Sequence, residues 1–208
     1  MRRLCGIGLA ALIAASACSN PPPDPAKQTT RPTYDKTTGK LTQLTYDRNK
    51  NGVIDTWTDM DGATPLRSRI DTNEDGKIDR WEYYDGAGQV LKVGFSRQDD
   101  GKPDAWAYSG ADGKVERVDV SSTGDEKIID RREFYTAGVL ARVEEDTNAD
   151  GKVNVWETYE GAVLRTTTFD EDGDGRPDRR LSYRDGALTL IESNPDASGA
   201  FTKRVEVK

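Results

Sequence analysis

Four stretches of this 208-residue chain space oxygen-bearing side chains as a hard divalent cation requires. In DTNEDGKIDRWE, residues 71–82, acids or amides stand first, third, fifth and ninth, and glycine stands sixth. Calcium takes about six to eight oxygens at roughly 2.3–2.6 Å, and alternate side chains of a tightly curled loop point inward to supply them. The candidate ligands here are Asp71, Asn73, Asp75, the carbonyl of Lys77, and Asp79. The same spacing offers Asp146, Asn148, Asp150, the carbonyl of Lys152 and Asn154, and then Asp170, Asp172, Asp174, the carbonyl of Arg176 and Asp178. A fourth set, Asp47, Asn49, Asn51, the carbonyl of Val53 and Asp55, has two amides in place of carboxylates and is expected to bind more weakly. Asp, Asn and Gly are also the residues that any surface turn favours, so the weight rests on the full spacing recurring four times.

Glu82 and Glu157 stand twelfth, so the 71 and 146 loops resemble EF-hand calcium loops. In that family a helix turns the twelfth glutamate back onto the metal, which implies Glu82 and Glu157 as further ligands; a strand after the loop carries them away. The pattern D-x-[DN]-x-[DN]-G-x-x-[DN] also resembles the calcium loops between strands of integrin-type propellers, which implies the ninth residue as the closing ligand. Each resemblance covers a single loop at a time. Ser96 removes the first acid of its loop, and STGDEKIID after Ser121 displaces the glycine to 124, so calcium is not expected there. WEYYDGAGQVL (81–91) is similar to the choline- and glucan-binding aromatic repeats of bacterial surface proteins, which implies Trp57, Trp81, Trp106 and Trp156 as possible ligand-stacking aromatics. The same aromatics also serve as a hydrophobic seam.

The elements that must carry these loops form a repeat. Glycine-containing loops open at Asp47, Asp71, Ser96, Ser122, Asp146, Asp170 and Asn194, in steps of 24, 25, 26, 24, 24 and 24. Each loop leads into an aromatic-rich segment such as KIDRWEYY, then a tight turn such as DGAG, then a second apolar/charged alternation such as QVLKVGF. Asp-Gly turns and period-two alternation predict β-hairpins. A helix over 79–95 would have to place DGAG in its interior, where its two glycines cost about 1 kcal/mol each. The predicted fold is all-β, an elongated antiparallel array of about six hairpin repeats over residues 34–208. At about 4.8 Å per strand it advances roughly 10 Å per unit. Trp57, Trp81, Trp106 and Trp156 share one place in the unit, and Tyr84, Tyr135, Tyr159 and Tyr183 another. Arg132 and Arg180 hold the Trp place in two units, which are expected to be the soft points.

The start of the chain predicts export. MRRL and the apolar run to Ala17 read as a signal peptide (1–17), and ASAC resembles a bacterial lipobox, which implies lipidation of Cys18 and a membrane anchor. Ser19 after the cysteine does not resemble the aspartate that retains such lipoproteins in the inner membrane, which implies the outer membrane, on either face. A proline-rich tether runs to residue 33. Cys5 leaves with the signal, so the body has no disulfide. Loss of Arg2 and Arg3 takes the formal charge from −7 to about −9, which disfavours nucleic acid. The chain has no histidine, no Gly-x-Ser-x-Gly and no phosphate-cradling glycine loop, and its carboxylates recur in every unit instead of forming one distinctive site. The expectation is a non-enzymatic, calcium-stiffened envelope scaffold that contacts an unknown protein or glycan; the alternative is an aromatic-repeat module for carbohydrate or choline.

Overall fold

The computed structural model describes residues 29–207. The expected signal peptide, Cys18 and the expected tether up to residue 28 lie outside the described residues. Fifteen strands follow one another: β1 (Thr30–Tyr34), β2 (Leu41–Tyr46), β3 (Thr56–Asp61), β4 (Thr64–Ile70), β5 (Arg80–Tyr84), β6 (Val90–Phe95), β7 (Ala105–Ser109), β8 (Val115–Val120), β9 (Arg131–Thr136), β10 (Val139–Glu145), β11 (Val155–Glu160), β12 (Val163–Phe169), β13 (Arg179–Arg184), β14 (Ala187–Pro195) and β15 (Phe201–Glu206). They form one open sheet in sequence order, each paired antiparallel with the next. No helix occurs among the described residues. The predicted all-β hairpin array is therefore the observed fold. It begins earlier than the expected boundary at residue 34, because β1 pairs Thr30 with Tyr46 and Pro32 with Leu44. Proline fits there because an edge strand has no outer neighbour that needs its missing N–H.

Tight turns line one rim of the sheet and long loops the other. In Ala137–Gly138, Gly161–Ala162 and Asp185–Gly186 both central residues have positive φ, the two-residue turn whose twist matches that of the flanking strands. Beside each tight turn one residue of the second strand is left unpaired: Thr42, Leu66, Leu91, Glu116, Ala141, Arg165 and Thr189. Such bulges strengthen the local right-handed twist, and their recurrence at one rim gives every repeat the same bend.

Residues directly opposite across the ladder share a face. One row reads Trp57, Arg69, Trp81, Gly94, Trp106, Asp119, Arg132, Glu144 and Trp156. Gly94 lets two indoles close in: a Cβ there would lie 3.5 Å from Trp81 Cβ, 3.5 Å from Trp106 Cδ1 and 3.3 Å from Pro103 Cβ. Trp106 is 2% exposed as a result. The two units with arginine at the Trp place exchange apolar packing for charge pairing. Arg132 Nε lies 4.0 Å from buried Asp119, which also pairs with Arg117 at 2.9 Å. Arg180 Nε donates to buried Glu192 at 2.6 Å.

Candidate metal-binding loops

The loops are set by the ladder. The N–H of each loop's first residue donates to the carbonyl that closes the loop before: Asp71 to Asp55 (2.8 Å), Ser96 to Asp79 (2.8 Å), Ser121 to Asp104 (2.9 Å), Asp146 to Asp130 (2.7 Å) and Asp170 to Asn154 (2.9 Å). The closing residue in turn donates to the residue just before its own loop, as Asp79 does to Ile70 at 3.0 Å. These bonds place the fourth loop's opening at Ser121, one residue earlier than the glycine spacing suggests. The loop 121–130 carries an extra residue, which displaced the reading. At the far end β14 runs through Asn194, so the last connection is only the turn Asp196–Ala200.

Within each loop the side chains first satisfy the loop's own backbone. The first aspartate accepts from the sixth-place glycine: Asp47 from Gly52 (2.8 Å), Asp71 from Gly76 (2.9 Å), Asp146 from Gly151 (2.8 Å) and Asp170 from Gly175 (2.7 Å). Third-place Asn49, Asn73, Asn148 and Asp172 accept from the fifth-place N–H at 3.0, 3.0, 3.3 and 3.0 Å. Fifth-place Asn51, Asp75, Asp150 and Asp174 accept from the N–H of Val53, Lys77, Lys152 and Arg176 at 2.8–2.9 Å. Ninth-place Asp55, Asp79, Asn154 and Asp178 accept from the second-place N–H of Arg48, Thr72, Thr147 and Glu171. The backbone is left-handed at the sixth-place glycine, with φ of 90° at Gly76 and 88° at Gly175. It is also left-handed at the fourth place, with φ of 63°, 60°, 53° and 58° at Lys50, Glu74, Asp99 and Ala149. This second requirement escaped the sequence reading, because only Gly173 advertises it.

A cation needs oxygens left over from that work. In the 170 loop, carboxylate oxygens of Asp170, Asp172 and Asp174 lie within 4.8 Å of one another. That is about the diameter of a calcium–oxygen shell, so these residues fit the ion. Burial acts to raise the Asp170 pKa, but N–H donation from Gly175, Gly173 and Asp174 outweighs it and holds the carboxyl below its usual range, charged and ready for a cation. In the 71 loop Asp71 is 6% exposed, and its Oδ1 is buried without a hydrogen-bond partner. A solvent-shielded carboxylate oxygen left unpaired is costly unless something binds it. The 47 loop differs: the Nδ2 groups of Asn49 and Asn51 donate to Glu74 of the next loop at 2.5 and 2.6 Å.

Glu82 and Glu157 are not in the loops. As residues of β5 and β11 they extend over a sheet face, where each accepts the hydroxyl of the tyrosine two residues on, Tyr84 and Tyr159, at 2.7 Å. A strand after the loop, instead of a helix, is the reason. Trp81 and Trp106 are buried seam residues, while Trp57 and Trp156 are half-buried. Sequence reading also passed over Asp104 and Asp130, which close the 96 and 121 loops by accepting from Arg97 N (2.9 Å) and Ser122 N.

No protein-family description matches this chain, and no curated protein does. Among solved structures, it is similar over 48% of its length to 21% of an S. aureus TarM G117R mutant in complex with fondaparinux, alpha-GlcNAc-glycerol and UDP, with 14% identity and a TM-score of 0.36. It is also similar over 51% of its length to 17% of accessory secretory protein 1, 2 and 3 of Streptococcus pneumoniae, with 13% identity and a TM-score of 0.27. The chain thus spans about a fifth of those structures, and similarity at that level carries no argument about activity.

Proposed function

We propose that this protein is a non-enzymatic, calcium-binding scaffold of the bacterial cell envelope, exported and anchored in the outer membrane by lipid on Cys18. The observation that carries the metal reading is the convergence of Asp170, Asp172 and Asp174 within one ion-sized shell. The unpaired Asp71 Oδ1 supports it. So does the charge of the rim: the seven loop-side connections hold 20 carboxylates against 8 lysines and arginines, a formal −12 in a chain of −7. Cations on that rim relieve repulsion between loops about 10 Å apart. The array would then be stiffest in the extracellular calcium range and would present its faces to a protein or glycan partner. The lipid reading rests on the basic and apolar start, on ASAC and on the proline-rich stretch that follows Cys18.

Calorimetry tests the metal. Titration of calcium into the protein should give binding that Asp170→Asn and Asp71→Asn each reduce, together with a melting temperature that rises in calcium and falls in chelator. An unchanged melting temperature and no heat of binding would defeat the reading.

A further inference from the structure

Six connections on the loop rim run nine or ten residues, but β14 and β15 are joined by five. Where a full loop follows, it covers its neighbour. Lys77 Nζ donates to the fourth-place carbonyl of the next loop, Asp99, at 2.7 Å, and Lys152 Nζ to that of Gly173 at 3.4 Å. Arg176 holds the same seventh place, yet the short turn beyond it supplies no such carbonyl. Its guanidinium is exposed and makes no ion pair or hydrogen bond among the described residues. The residues missing from the last connection leave a cleft of about 610 Å³ between the 170 loop and the Asp196–Ala200 turn.

We propose that this cleft binds a neutral saccharide. The cleft's lining includes Asp172, Asp174 and Arg176 together with the apolar surfaces of Pro177, Pro195 and Phe201. Other charges nearby are already committed: Arg180 donates to Glu192 at 2.6 Å and lies 5.1 Å from the centre of the Phe201 ring. Asp178 accepts from two loop amides, and Asp196 from the amides of its own turn. Asp172 and Asp174 each spend one oxygen on a loop amide, which leaves the second oxygen of each as an acceptor beside a strong donor. An organic cation filling the cleft would meet Arg176, and an organic anion would meet the carboxylates. A sugar hydroxyl both donates and accepts, so it suits the mixture. The proline and phenylalanine surfaces suit the C–H face of a pyranose, and the volume lies within the range of small-ligand sites, about 300–1,000 Å³. Asp172 and Asp174 are also candidate ligands of a cation in the 170 loop, so EDTA and calcium buffers are compared to read the cleft apart from the metal.

Amide NMR of the full chain with maltotriose, cellotriose and mannotriose, each in EDTA and in calcium, tests the proposal. At least one trisaccharide should give saturable shifts at Gly175, Ala197, Gly199 and Phe201. Arg176→Gln should weaken that binding by about fivefold or more, as loss of one charge-assisted hydrogen bond predicts, and leave the rest of the spectrum in place. No saturable shift with any of the three in either buffer would overturn it. Shifts elsewhere on the sheet, or shifts indifferent to Arg176→Gln, would overturn it too. Calcium affinity measured on the same samples reports separately on the metal.

Discussion

The 170 loop and the 96 loop have the same shape and different chemistry. Both turn left-handed at the fourth and sixth places, through Gly173 and Gly175 in one and Asp99 and Gly101 in the other. Both are closed by a ninth-place aspartate that accepts the second N–H, Asp178 from Glu171 at 2.6 Å and Asp104 from Arg97 at 2.9 Å. Yet the 170 loop gathers three carboxylates, while the 96 loop opens with Ser96, whose hydroxyl accepts the fifth-place amide at 3.2 Å. The loop shape is therefore a property of ladder register, two left-handed residues and side-chain-to-backbone hydrogen bonds. In the proposed reading, metal capacity is a separate layer, fullest where the first, third and fifth residues are all carboxylates, as in the 170 loop. Asp, Asn and Gly at this spacing have a structural job even without an ion.

The largest break in this comparison should come from Asp170→Ala set against Ser96→Ala. Asp170 accepts from Gly173 and Gly175, each at 2.7 Å, so truncation removes the acceptor of two amides at once. Ser96 supplies one such bond, worth about 1 kcal/mol. Denaturant unfolding in calcium and in chelator gives the deciding number. The Asp170→Ala loss should grow in calcium and the Ser96→Ala loss should not. Equal calcium dependence in the two variants would mean the ion acts elsewhere on the rim.

The next largest effect isolates the shared layer. Gly76→Ala and Gly101→Ala place a Cβ at φ of 90° and 80°, which costs about 1–2 kcal/mol in the left-handed region. No side chain or backbone atom lies within 4 Å of a Cβ at Gly76, and Lys77 Cβ is 3.7 Å from one at Gly101, so strain and not collision sets the cost. The two variants should lose the same stability in chelator, as read from urea midpoints. A much smaller loss at Gly101 would show that the acid-poor loop does not share the shape.

This division explains what could be read along the chain. Loop chemistry is local: Asp, Asn and Gly within nine residues declare the turn, and their recurrence declares the hairpin array. The bulges are not local. Thr42, Leu66, Leu91, Glu116, Ala141, Arg165 and Thr189 share no chemistry, only a place in the ladder. Arg132 reads along the chain only as a missing tryptophan, because its cross-strand neighbours Asp119 and Glu144 are 13 and 12 residues away and come alongside only when strands pair. The start of the fourth loop was misplaced because glycine marks a turn, whereas Ser121 N marks the register. Glu82 and Glu157 matched a twelfth-place ligand by count, and the strand sent them to a face of the sheet.

The smallest expected effect belongs to that face, and it contrasts loop carboxylates with strand carboxylates. Glu133 and Glu157 accept the hydroxyls of Tyr135 and Tyr159 at 2.7 Å. Burial, then the hydrogen bond to glutamate and its negative charge, push both tyrosines up to about 12. A tyrosine whose folded pKa exceeds its unfolded value near 10 favours the fold while protonated. That contribution is complete below about pH 10 and disappears as pH rises through about 12. Asp170 behaves in the opposite sense: its lowered pKa gives stability present above about pH 4 and lost as pH falls through the folded value. Ultraviolet titration at the phenolate band should show Tyr135 and Tyr159 among the tyrosines that ionise late, and Glu157→Gln should bring Tyr159 back toward 10 without altering calcium binding. Were Glu157→Gln to weaken calcium binding instead, the twelfth residue would belong to the loop after all, and the separation of loop from strand would fail at that repeat.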